Sequence, residues 1–301
     1  MTQFESINNA YNSVFKPNEL TVGVVVPIEN YAQSAVPTMQ EHLKRVKYIE
    51  ELGFKALWIR DIPFNVPSFG DAGQTYDPFT YLGFLAGQTS KIALGVSSIA
   101  LPLHHPLHVA KSASTIDELS NGRLLLGVAS GDRYDEYPAM GISFENRGEL
   151  FKESFQYIRQ LQDNFPTINT KGYGNLQGNI DMLPKATTHK IPLLLTGSSR
   201  QTLEWNAEHA DGWMNYPRDL YQQQLTIKSY RDLVSSYHNF NKPFMQPMYL
   251  DLQEDPNFKP QPIQLGFRLG INYLALNLRF NTMAINTTLE QISKEVLPEF
   301  H

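Results

Sequence analysis

Cysteine is absent from the 301 residues, which excludes a disulfide framework, a thiolate nucleophile and any zinc or iron–sulfur centre built on sulfur. A basic field is missing too. Lys and Arg number 25 against 30 Asp and Glu, a net charge of −5, so nothing draws in a nucleic-acid backbone or an anionic lipid surface. No apolar run reaches the length that spans a bilayer, and the first five residues carry neither part of an export signal. The chain reads as a cytoplasmic protein without nucleic-acid or membrane partners. The Walker loop and the Gly-x-Ser-x-Gly elbow are lacking as well. With 42% apolar and 18% charged residues disorder is excluded, and the chemistry must come from oxygen, nitrogen or a cofactor.

What is present is an alternation. Short apolar, β-branched runs start near residues 22, 56, 92, 123, 191, 212, 245 and 273, each followed by a segment with helical spacing. The first run, Val22-Gly23-Val24-Val25-Val26, is apolar at every position apart from its glycine, as a strand buried on both faces should be. Capping boxes at Thr38/Glu41, Asn146/Glu149 and Thr287/Glu290 predict helix starts, and Pro106 leads another. Eight strands alternating with helices in 301 residues predict an α/β fold, a (β/α)8 TIM barrel forming a single domain over 1–301. Lys171-Gly172-Tyr173-Gly174-Asn175 marks an excursion between strands four and five. Between strands seven and eight only 262–270 offers helical material, a shortened seventh helix that a neighbouring helix or a second subunit would have to cover. An open doubly wound sheet would carry a glycine-rich first turn, and Pro27-Ile28-Glu29-Asn30 has no glycine.

Barrel enzymes work at the strand C-termini, which directs attention to Glu29, Arg60, Asp61, Ser97, Ser98, Ser130, Gly131, Asp132, the run Gly197-Ser198-Ser199-Arg200, Tyr216, Asp251 and Asn277. The segment 194–202 passes from a strand into a helix, so its small residues and Arg200 suit an anion, although Ser199 could be no more than an N-cap. His104 and His108 are four apart, but Pro106 separates them and no carboxylate takes the zincin position, so no metal is assigned. Of the charged run 132–136 only Asp132 is kept, the rest reading as solvated loop.

Leu94-Gly95-Val96-Ser97-Ser98-Ile99-Ala100-Leu101-Pro102-Leu103-His104-His105-Pro106, followed by Leu119-Ser120-Asn121-Gly122-Arg123-Leu124-Leu125-Leu126-Gly127, resembles the luciferase-like flavin monooxygenase family. The resemblance continues through Gly197-Ser198-Ser199 and Ala210-Asp211-Gly212-Trp213. It implies a barrel, usually dimeric, that binds reduced FMN or a deazaflavin at the strand ends. It also implies a non-prolyl cis bond at Ser97–Ser98 and a phosphate held by Ser198, Ser199 and Thr202. Two departures stand out. Where bacterial luciferases carry Glu-His-His after strand two, with a histidine as base, this chain has Asp61-Ile62-Pro63, and their phosphate-binding arginine on strand four aligns with Ser130, so that Arg200 or Arg133 would have to replace its charge.

The reading is therefore a flavin-dependent oxidoreductase, a two-component monooxygenase that takes reduced FMN from a separate flavin reductase and acts with O2 on a small organic molecule. The alternatives are a deazaflavin-dependent dehydrogenase and a flavin-binding protein without turnover. Asp61 and Asp132 are the expected catalytic residues. Ser97, Ser98, Ser130, Gly131, Gly197, Ser198, Ser199, Arg200, Thr202 and Tyr216 are expected to bind the cofactor, and the chain is expected to form a homodimer.

Overall fold

The computed structural model describes residues 3–249 and 268–300. Eight parallel strands close a barrel in it: β1 (Thr21–Val25), β2 (Ala56–Ile59), β3 (Ala93–Ala100), β4 (Leu124–Ala129), β7 (Leu193–Thr196), β8 (Gly212–Met214), β9 (Phe244–Tyr249) and β10 (Tyr273–Asn277). Neighbours follow chain order, and β10 pairs with β1 through Thr21↔Tyr273 and Val24↔Leu276. The expected barrel is thus present, and so is the excursion. It forms an antiparallel hairpin of β5 (Thr167–Asn169) and β6 (Asn175–Gln177) apart from the barrel.

Around the barrel run α2 (His42–Glu51), α3 (Pro78–Ala86), α4 (Pro106–Leu119), α5 (Glu136–Ala139), α6 (Arg147–Gln160), α7 (Leu203–His209), α8 (Leu220–Tyr237) and α9 (Ile285–Glu295). Their apolar stripes meet the outward faces of strands such as β4, whose first five residues are fully buried. Two expected capping boxes are absent, for a physical reason. Thr38 N–H and Oγ1 both bond the buried Glu29 carboxylate, at 2.6 and 2.9 Å, so α2 starts later, behind Glu41 in the left-handed region. Glu290 accepts from the Tyr48 hydroxyl at 2.5 Å, and α9 begins at Ile285, two residues before Thr287. Asn146 does stand before α6, but its side chain makes no capping bond. Of the expected seventh helix, 262–267 lies outside the described residues, as do Asp251 and the end of the expected seventh strand.

Inside the barrel the Trp58 indole donates to the Tyr273 hydroxyl at 2.6 Å. Two glycines make room for this pair: a Cβ at Gly95 would lie 2.4 Å from the Trp58 ring, and one at Gly23 would meet the Tyr273 hydroxyl. Beneath them the N-terminal segment, including α1 (Asn9–Val14), packs Phe4, Ile7, Tyr11, Val14 and Phe15 into one cluster with Trp58, Leu125, Leu194 and Tyr273. The barrel is therefore filled and stoppered at its strand N-termini. Its open space lies at the other end.

Candidate active site

A cavity of about 660 Å³ opens at the strand C-termini, and residues from all eight barrel strands or the loops that follow them line it. Asp61, Ser97, Ser98, Ser130, Gly131, Asp132, Gly197, Ser198, Ser199, Arg200 and Tyr216 all face this one space. Thr202 does not. It caps α7, its hydroxyl accepting the Trp205 N–H at 3.2 Å, and it lines a neighbouring cleft of about 310 Å³ that shares Gly197 and Ser198.

The floor is the end of β3. Its pairing with β4 shifts register between Val96 and Ile99, and the Ser97–Ser98 peptide bond there is cis. Gly127 on β4 lets the chain come this close, since a Cβ would sit 2.2 Å from the Val96 carbonyl. Both serines are tied down. Ser98 Oγ lies 2.5 Å from Thr196 Oγ1, and Ser97 Oγ lies 3.0 Å from Met214 Sδ. The ledge is fixed from β7 and β8, across the barrel.

One end of the cavity can take an anion. Gly197, Ser199 and Arg200 have positive φ, and the hydroxyl of the buried Ser199 donates to the Thr196 carbonyl at 2.8 Å. Because α7 starts only at Leu203, Ser198 and Ser199 form a separate loop rather than the first turn of that helix, and neither is its cap. The loop is joined to the start of α6 by Gln201 Nε2, which donates to the Gly148 carbonyl at 2.9 Å. Beside it Arg147 is buried over the Phe144 ring at 3.4 Å, and its Nε meets no partner among the described residues. Arg147 was not among the expected site residues. Its signals in the sequence are that the family resemblance runs through the helix it begins, and that it is a cation in a first turn, where the macrodipole disfavours one unless an anion is near.

Asp61 is the acid at the end of β2. Its Oδ2 accepts the Ala100 N–H at 3.0 Å and faces His104 Nε2 at 2.7 Å. Burial works to lower the His104 pKa, but the hydrogen bond and charge of Asp61, helped by Asp77 and Glu136, raise it above the ordinary imidazole value. The histidine absent from the loop after β2 is thus matched by one from the loop after β3. Weighing His104 only as a metal ligand beside His108 hid this.

The charged run after β4 is solvated loop only in part, since Tyr134 and Asp135 are exposed as expected but Arg133 and Glu136 are not. Asp132 is exposed at the cavity rim, whereas Arg133 and Glu136 are buried and also line the cavity. Burial pushes the Glu136 carboxyl up, although the nearby Arg133 charge opposes this. Tyr216 stands 60% exposed at the mouth. Among the described residues no helix is long and apolar enough to cross a membrane.

A family model described as luciferase-like monooxygenase matches residues 20–239. The alkanal monooxygenase beta chain of Photorhabdus luminescens is 30% identical over 183 residues, covering 58% of this chain and 52% of that protein. The chain thus spans about half the length of the curated relatives it matches. Among solved structures, an F420-dependent secondary alcohol dehydrogenase in complex with an F420–acetone adduct superposes with a TM-score of 0.75, at 15% identity over 92% of this chain and 98% of that one. The oxygenating constituent of 3,6-diketocamphane monooxygenase from Pseudomonas putida, in complex with FMN, gives 0.71 at 14% identity over 94% and 99%. At such identities the two structures speak for the fold alone.

Proposed function

Because the chain belongs to the luciferase-like monooxygenase family, we propose that it is a flavin-dependent oxidoreductase, working as a two-component monooxygenase. It would take reduced FMN from a separate reductase and act with O2 on a small organic substrate. The observation that carries the reading is the pairing, in one cavity, of the Ser97–Ser98 ledge with the Arg147 and Ser199–Arg200 anion end.

The residues present fit such a cofactor. Arg147 Nε and Asn215 Nδ2 are buried donors that lack partners among the described residues and border the cavity, and a phosphate and a polar ring edge would satisfy them. Arg147, Ser198, Ser199 and Arg200 would hold the phosphate, with Thr202 acting through the helix it caps. Ser97 and Ser98 would support the ring, with Ser130, Gly131 and Gly197 along its sides. When bound, the flavin supplies the redox chemistry with O2. The protein's part is to exclude water with Met214, Tyr216 and Tyr249 and to manage protons. His104 holds a proton against Asp61, and Asp132 at the rim is the second candidate for exchange with solvent.

A deazaflavin-dependent dehydrogenase is the second reading, favoured by the Asp61–His104 pair, which suits removal of a proton from an alcohol. In either case the protein would be a cytoplasmic homodimer of single-domain chains. Titration with FMN, riboflavin and the deazaflavin coenzyme decides between cofactors. Arg147→Met and Arg200→Ala should each weaken FMN by roughly tenfold to a hundredfold, the range for a charge-assisted bond, and leave riboflavin almost unaffected. Equal losses for both ligands would remove the phosphate assignment.

A further inference from the structure

Beside the cavity, three arginines gather around one acid, Asp71 in the loop after β2, and two of them, Arg60 and Arg133, line the cavity. Asp71 Oδ2 takes Arg60 Nη1 at 2.5 Å and has Arg279 Nη1 at 3.5 Å, so its carboxylate is already shared by two cations. Arg133 reaches only the backbone of that residue, its Nη2 donating to the Asp71 carbonyl at 2.6 Å. The guanidinium is 6% exposed and stacks 4.2 Å over the Phe69 ring, which fixes its plane. Among the described residues no carboxylate lies within ion-pair distance of Arg133, and its Nη1 meets no acceptor. Glu136, three residues on, is near enough for its charge to favour the guanidinium but makes no ion pair with it. One oxygen of that carboxyl, Oε1, is buried and equally without a partner, and burial shifts the group towards its neutral form.

Buried charges in proteins are paired, because an isolated one is costly to remove from water. A guanidinium held rigid at the wall of a ligand cavity, with one fork nitrogen free, is set to receive an anionic oxygen. The anion end assigned above to the cofactor uses other residues, Arg147 and the loop 197–200. Resting on that flavin reading, we propose that Arg133 is the receptor for a carboxylate and that the substrate is a small organic acid, its anion on Nη1 and its body in the cavity beside the Ser97–Ser98 ledge. Burial favours the neutral form of Glu136, in which its unpartnered Oε1 can donate an O–H to the same carboxylate. An aldehyde would leave Arg133 unpaired.

The test uses three acids with their isosteric amides: acetate and acetamide, hexanoate and hexanamide, benzoate and benzamide. Each is titrated calorimetrically into the protein with and without FMN. At least one acid should bind tenfold or more tightly than its amide. Arg133→Gln should bring that ratio close to one while FMN affinity stays within twofold, and Arg133→Lys, which keeps the charge and loses the fork, should fall between. If no acid outbinds its amide, or if Arg133→Gln weakens FMN as much as the acid, the proposal is overturned. Failure of the wild type to bind any flavin would instead overturn the cofactor reading, and the acid-to-amide ratio in the cofactor-free protein would still decide the role of Arg133.

Discussion

At the scale of single residues the site is organised by ion pairs that span loops. His104 is the clearest case, since its pKa is raised in the fold by Asp61. A group whose folded pKa exceeds its unfolded value of about 6.5 contributes stability that is fully present below that pH and is lost as pH rises through the folded value. Asp61→Asn should therefore lower the His104 pKa, read from the imidazole resonances in an NMR titration. The stability gap between wild type and variant should be wider near pH 6 than near pH 9. A gap of equal size at both would mean that Asp61 acts only through its bond to the Ala100 N–H. This level of detail was half legible. Strand position picked out Asp61, Ser97, Ser98 and the 197–200 loop, because a barrel puts every strand end at one rim. Arg133 was legible only as a stand-in for the missing phosphate arginine, and Glu136, Arg147 and His104 were missed, because charge runs and loop histidines lie on the surface in most sequences, and whether a loop folds inward depends on aromatic partners such as Phe69 and Phe144.

At the scale of elements, the strands were readable from their β-branched runs, while helix starts were readable only in part: Pro106 opens α4 and Asn146 stands before α6, but the Thr38 and Thr287 boxes do not form. A Thr or Glu that fits a capping box bonds elsewhere when another partner, such as the buried Glu29 or the half-buried Tyr48, competes for it. The short α1 carried no signal, since six residues show little periodicity. Its hold on the barrel is nevertheless specific. Asn8 accepts the Tyr11 N–H at 2.9 Å as N-cap, and its amide donates to Asp117 Oδ1 and to the Leu124 carbonyl, both at 2.8 Å. Asn8→Ala removes all three bonds from a buried position and should cost about 3 kcal/mol in urea unfolding. A loss below about 1 kcal/mol would show that the segment is held by its apolar side chains alone. At the opposite rim, Gly127→Ala would drive a Cβ to 2.2 Å from the Val96 carbonyl. The end of β3 would have to retreat, so stability should fall by about 2 kcal/mol and flavin affinity should fall with it. Unchanged flavin binding in a destabilised Gly127→Ala would mean that the ring does not rest on this ledge.

For the whole molecule, closure leaves the barrel itself without a free edge, and the free sheet edges among the described residues are those of the three-residue strands of the β5–β6 hairpin, so self-association favours helices or loops. The region 253–271, expected to need cover from a neighbouring helix or second subunit, lies largely outside the described residues. A different face carries an apolar patch. Phe84 on α3 is 46% exposed and Tyr76 just before that helix 43%. The His42 ring joins them, with its centroid 6.3 Å from Phe84 and 5.5 Å from Tyr76. Three rings gathered at the N-terminal end of α2 and on α3 form a contiguous patch, which is a stronger sign of association than scattered apolar residues. Desolvation already holds the His42 pKa below the ordinary value, and a subunit packed on this face would lower it further, because the charged form would lose more water. Association through His42, Tyr76 and Phe84 should therefore weaken as pH falls and the imidazole takes up a proton. Sedimentation velocity should show a dimer at pH 8, partial dissociation near pH 5 and a monomer at both for Phe84→Glu, with circular dichroism unchanged. A wild type that sediments as a monomer at pH 8, or a Phe84→Glu dimer, would take this face out of the assembly.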